Sequence, residues 1–104
     1  MELKKGVSTT NVQPELLIGL MVADSVYLLY QTPCVVTSLN DSKHSFNSLH
    51  YAGCAADILI NNLPMGKAEE VAECIRVGLG HNPDYDVVLE ADHIHLEWQP
   101  KYRD

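Results

Sequence analysis

Histidines and carboxylates gather in two short segments of this chain: Ser48-Leu49-His50-Tyr51-Ala52-Gly53-Cys54-Ala55-Ala56-Asp57, and Glu90-Ala91-Asp92-His93-Ile94-His95. An imidazole and a carboxylate from the first segment, joined by an imidazole from the second, would give Zn²⁺ three borderline ligands and leave a fourth position for water. A zinc held that way brings its water toward a pKa of about 7 and polarises a carbonyl, while a neighbouring carboxylate takes the proton. The chemistry is hydrolysis of an amide. A His-x-His on a strand also arises on the solvent face of a hairpin with no ligand at all, so the pair carries moderate weight alone.

Those residues need elements to position them. Pro14 suits the first turn of a helix, and Leu16, Leu17, Leu20, Met21, Tyr27 and Leu28 recur at helical spacing up to about Tyr30, where Thr32-Pro33 ends the run. Cys34 to Ser38 is short, β-branched and bounded by turn formers, which predicts a buried strand. Leu39 to Leu49 turns polar and predicts a long loop, a place where function concentrates. Cys54 to Ile60 predicts a second strand. Ala68, Val71, Ala72, Ile75 and Leu79 predict a second helix, with Glu69, Glu70 and Glu73 near its positive end and Gly78 and Gly80 near its stop.

Tyr85 to Glu90 and His93 to Trp98 then predict a hairpin turning through Ala91-Asp92. In a strand side chains alternate, so His93, His95 and Glu97 share one face and Ile94, Leu96 and Trp98 the other. The expected fold is α+β: a small, mainly antiparallel sheet with two packed helices. No repeat or linker divides the chain, so residues 1–104 are read as one domain with a folding unit at about 11–100 and short tails.

Composition narrows the function further. Seven Lys and Arg against fourteen Asp and Glu give a net charge of −7, and the basic residues form no stripe. Nucleic acid and anionic membrane are therefore poor partners. No apolar run reaches the roughly 18 to 20 residues that span a bilayer, and no apolar region follows Met1-Glu2-Leu3-Lys4-Lys5 as in a secretory signal. The expectation is a chain made in the cytoplasm. Cys34, Cys54 and Cys74 are odd in number and lie among apolar neighbours, which predicts reduced, mostly buried thiols.

The pattern Ser-x-His-x-x-Gly-x-Ala-x-Asp is met by Ser48, His50, Gly53, Ala55 and Asp57, and a downstream His-x-His by His93 and His95. In this order the two motifs, over roughly residues 32 to 100, resemble the zinc peptidases of the D-alanyl-D-alanine carboxypeptidase and phage L-alanyl-D-glutamate endopeptidase group, akin to the Hedgehog signalling domain and the lysostaphin-type enzymes. The resemblance implies that fold, and it implies that His50, Asp57 and His95 bind zinc. The family's acidic residue three positions before the last zinc histidine corresponds to Asp92, and Glu90, three before His93, is the rival. His93 then matches the family histidine that hydrogen-bonds the oxyanion or the attacking water.

The implied substrate is the stem peptide of bacterial peptidoglycan, cut as a carboxypeptidase or an endopeptidase by a phage or prophage product that reaches the wall after release or on a virion. Ser48 is expected to hydrogen-bond near the site rather than act as a nucleophile. Lys43 and His44 are candidates for a substrate carboxylate, or else solvated loop residues. No arginine precedes Arg76 to take the family's usual carboxylate-anchoring role. The alternative reading is a non-catalytic, zinc-containing binding or virion-structural module of the same fold.

Overall fold

Helix α1 (Pro14–Leu29) starts where the proline ring fixes the first turn, after an extended Gln13, and it ends at Tyr30, whose N–H reaches back to the carbonyl of Tyr27. Gln31 then takes a positive φ of 54° and turns the chain toward the sheet. The computed structural model describes residues 1–39 and 54–100. Within them the order is β1 (Glu2–Leu3), α1, β2 (Val35–Leu39), β3 (Ala55–Leu59), α2 (Ala68–Gly78), β4 (Tyr85–Leu89) and β5 (His93–Trp98).

The strands form one five-stranded sheet in the order β1-β2-β3-β5-β4. Three of its four pairings are antiparallel, and β1 alone runs parallel to its neighbour. The architecture is the α+β arrangement that the sequence pattern predicts, with one correction at the start of the chain. The first ten residues are not merely a tail: Glu2 and Leu3 add an edge strand, held by Glu2 N–H to the Cys34 carbonyl (2.8 Å) and Lys4 N–H to the Val36 carbonyl (2.9 Å). Two residues show no periodicity, so no alternation could have announced that strand. The strand predicted at Cys34 to Ser38 sits one residue later and takes in Leu39; residues 40–49 of the expected loop lie outside the described residues.

Alternation decides which face of the sheet is covered. Val36, Ile58, Ile94 and Leu96 are fully buried and meet Leu16, Leu20 and Tyr27 of α1 and Val71 and Ile75 of α2 in one continuous core. Both helices therefore lie on one face, and Gly78 lets them close, since a Cβ there would stand 2.7 Å from Val22 Cγ1. Tyr27, buried at the centre, donates its hydroxyl to the Leu59 carbonyl (2.7 Å) and ties α1 to β3. None of the three cysteines forms a disulfide: Cys34 and Cys54 are buried and Cys74 half-buried, as their apolar neighbours predict; burial pushes the Cys34 thiol up to about 12. The opposite face of the sheet carries the polar members of the same strands.

Candidate metal centre

On that open face β3 and β5 run antiparallel with Asp57 paired to His95 and Leu59 to His93. Cross-strand partners in an antiparallel ladder have side chains within contact distance, and the diagonal neighbour is still in reach of a long side chain. Accordingly, His95 Nδ1 stands 2.8 Å from Asp57 Oδ1 and His93 Nε2 stands 3.5 Å from the same oxygen. One ligand atom from each of Asp57, His93 and His95 falls within 4.8 Å of the others, so the three could hold a metal ion together. All three are about one quarter exposed, open to a ligand yet partly withdrawn from water.

Two further carboxylates flank the group. Asp92, in the turn between β4 and β5, is 2.6 Å from His93 Nδ1, and Glu97 is 2.9 Å from His95 Nε2. Glu97 comes from the same alternation as the histidines, two residues along β5. The period-two pattern put it on this face, but nothing in the sequence assigned it a role. Its position suits one purpose well. With a cation in place of the Nδ1 proton, Glu97 accepting from Nε2–H would fix the tautomer that presents the Nδ1 lone pair of His95, the usual way a carboxylate orients a metal-binding histidine.

The electrostatics favour a cation. Three carboxylates converge on two imidazoles with no lysine or arginine of the described residues in the hydrogen bonds among them. Burial pulls the His95 pKa down, but hydrogen bonds to Glu97 and Asp57 and their charges more than offset it, and the imidazole stands above its ordinary value. The bond from His93 holds the Asp92 carboxyl below its ordinary value, so this residue is ionised at neutral pH.

Of the residues expected to do chemistry, the fold thus brings together Asp57, His93 and His95 and sets Asp92 against His93. His93, expected as a hydrogen-bonding partner, is also placed among the possible ligands. Glu90 closes the hairpin through its N–H to the His93 carbonyl (2.8 Å) and is exposed. It lies on the β4 side, with β5 between it and Asp57. Lys43, His44, Ser48 and His50 lie outside the described residues. No family model matches the chain, and neither a curated protein nor a solved structure matches it.

Proposed function

We propose that the chain is a zinc-dependent hydrolase of peptide bonds in bacterial peptidoglycan, of the D-Ala-D-Ala carboxypeptidase or L-Ala-D-Glu endopeptidase kind. The observation that carries this reading is the 2.8 Å approach of His95 to Asp57, two ligand groups on the open face, with the His93–Asp92 pair (2.6 Å) beside them. The donor set suits zinc: imidazole nitrogens and a carboxylate oxygen, few enough to leave a position for water. The choice of peptidoglycan rests on the motif that runs from Ser48 through Asp57 and on the later His-x-His.

Asp57 and His95 would hold the metal with His50, as the family resemblance implies, and Glu97 would hold His95 in its ligating tautomer. Zinc bound there would polarise the scissile carbonyl and acidify a water. Asp92, ionised and hydrogen-bonded to His93, accepts the proton of the attacking water and returns it to the leaving amine. His93, whose Nδ1–H is taken by Asp92, would as an imidazolium donate from Nε2 to the carbonyl oxygen as negative charge develops on it.

The test is mass spectrometry of purified peptidoglycan and its soluble muropeptides after incubation with zinc-loaded protein, beside an Asp92→Ala control. Loss of terminal D-Ala identifies a carboxypeptidase, and an internal cut, as between L-Ala and D-Glu, identifies an endopeptidase. A folded, zinc-loaded sample that leaves every muropeptide intact overturns the catalytic reading and leaves a metal-containing binding module.

A further inference from the structure

Helix α1 is apolar nearly all the way round, a composition typical of a helix covered on every side. Among the described residues only one side is covered. Leu16, Leu20, Ala23, Val26 and Tyr27 enter the core, while Leu17, Ile18, Met21, Leu28 and Leu29 are between 45% and 79% exposed. At 3.6 residues per turn these five, with Ser25, fall within an arc of about 120° that contains no charged residue. Ser25 adds no cost to covering the stripe, because its hydroxyl is already donated to the Met21 carbonyl (3.0 Å) within the helix.

The stripe is continuous with the start of the chain. Met1, whose ammonium pairs with Asp24 (2.8 Å) at the edge of the stripe, borders Leu28 on one side and, with Leu3, borders Leu17 on the other, and both side chains are about half exposed. These seven side chains leave on the order of 800 Å² of accessible surface, more than the largest patch of an ordinary monomer and about what each partner of a standard-size interface buries. We infer that this surface joins two copies of the chain through antiparallel packing of α1 on α1 about a two-fold axis near Met21.

Three observations select a second copy. The exposed positions Pro14, Ile18, Met21, Ser25 and Leu28 alternate in steps of four and three, the spacing by which one helix seats against another. Antiparallel pairing about Met21 sets Leu28 directly against Pro14 of the other copy, large against small, and brings Ile18 within one residue of the small Ser25, the stripe position next to its exact partner, so the stripe is complementary to itself as a two-fold interface requires. Finally, each copy carries a net charge of −7, and the arc itself holds no charge while the Asp24 carboxylate at its edge is paired with the Met1 ammonium (2.8 Å), so two such molecules can meet on it without burying unpaired like charges.

Light scattering on the size-fractionated full chain, at roughly 10 to 200 µM, should give twice the monomer mass of 11.6 kDa. Ile18→Glu and Met21→Glu, both at exposed positions, should return it to the monomer mass with unchanged circular dichroism. Oxidised Met21→Cys protein should cross-link to itself, whereas Leu28→Cys should not, its two copies lying about 20 Å apart along antiparallel axes. A wild-type monomer throughout that range overturns the inference, as does a dimer that survives both glutamates. Self-cross-linking of Leu28→Cys in place of Met21→Cys overturns the antiparallel arrangement. A monomer that sediments with phosphatidylcholine vesicles overturns it in favour of lipid.

Discussion

Asp57 and His95 face each other in register across β3 and β5, Oδ1 to Nδ1 at 2.8 Å, and His93 approaches the same Asp57 oxygen from the diagonal position. A single carboxylate therefore organises both imidazoles. Asp57→Ala should remove a ligand and the anchor of both rings, and zinc should no longer bind at one per chain. Competition with a chromophoric chelator measures this, and undiminished affinity in a folded Asp57→Ala protein would remove Asp57 from the site. The same titration separates His50→Ala from His93→Ala: the former should lose zinc and the latter retain it.

In the proposed site Glu97 would act on the metal only through His95, so its removal should be felt less. Glu97→Ala should weaken zinc binding by roughly 10- to 100-fold, the range found when the partner of a ligating histidine is lost. Loss of the Nε2–H signal of His95 that is hydrogen-bonded in the wild type, read by ¹⁵N NMR, would accompany it. Wild-type affinity with an unchanged His95 tautomer would show that Glu97 orients nothing.

Acid and base roles divide the two candidate carboxylates. Asp92→Ala should lower turnover of muropeptides by about 10²- to 10⁴-fold with zinc still bound, because Asp92 touches His93 and no proposed ligand directly. Glu90→Ala should leave turnover within a few-fold of wild type. The reverse pattern would move the general base to Glu90.

One residue should produce two opposed pH trends. Without metal, the His95 pKa is raised in the folded chain by its two carboxylate partners, against the opposing effect of burial. Its contribution to stability is then fully present below the unfolded value near 6.5 and is lost as pH rises through the higher folded value. Zinc needs the deprotonated ring, so its stabilisation grows over the same interval. Thermal melts between about pH 6 and pH 8 should show the metal-free Tm falling while the increment on adding zinc rises; parallel trends would mean that His95 does not bind the metal.

The Tyr27 hydroxyl, which ties α1 to the strand carrying Asp57, gives a test away from the chemistry. Tyr27→Phe should cost about 1–2 kcal/mol by leaving the Leu59 carbonyl without its partner, as measured by urea unfolding. A negligible change would mean that water replaces the bond.

The alternation of β5 was legible because its two faces differ in kind: Ile94 and Leu96 went to the core and His93, His95 and Glu97 to the open side, as period two requires. The helices were legible from spacing and stop signals, and α2 ends within a residue of its expected limit. Two features were not. β1 is too short to hold a pattern, and it exists because β2 offers it an edge. The pairing of Asp57 with His95 depends on the register between β3 and β5, which arises from long-range packing, so the residue types suggested the site while the fold alone set its distances.

β5 has β3 on one side and β4 on the other, so the strand bearing both histidines is fixed along both edges. A slip of one residue against β3 would bring Ile94 or Leu96 opposite Asp57 and turn imidazoles into the hydrocarbon interior. The polar open face and the dry interior are thus two readings of one six-letter string, and no partly correct pairing preserves either. Quality control of this protein is built into its own ladder: a molecule able to capture a metal ion at Asp57 and His95 has, by that fact, passed the test of having folded.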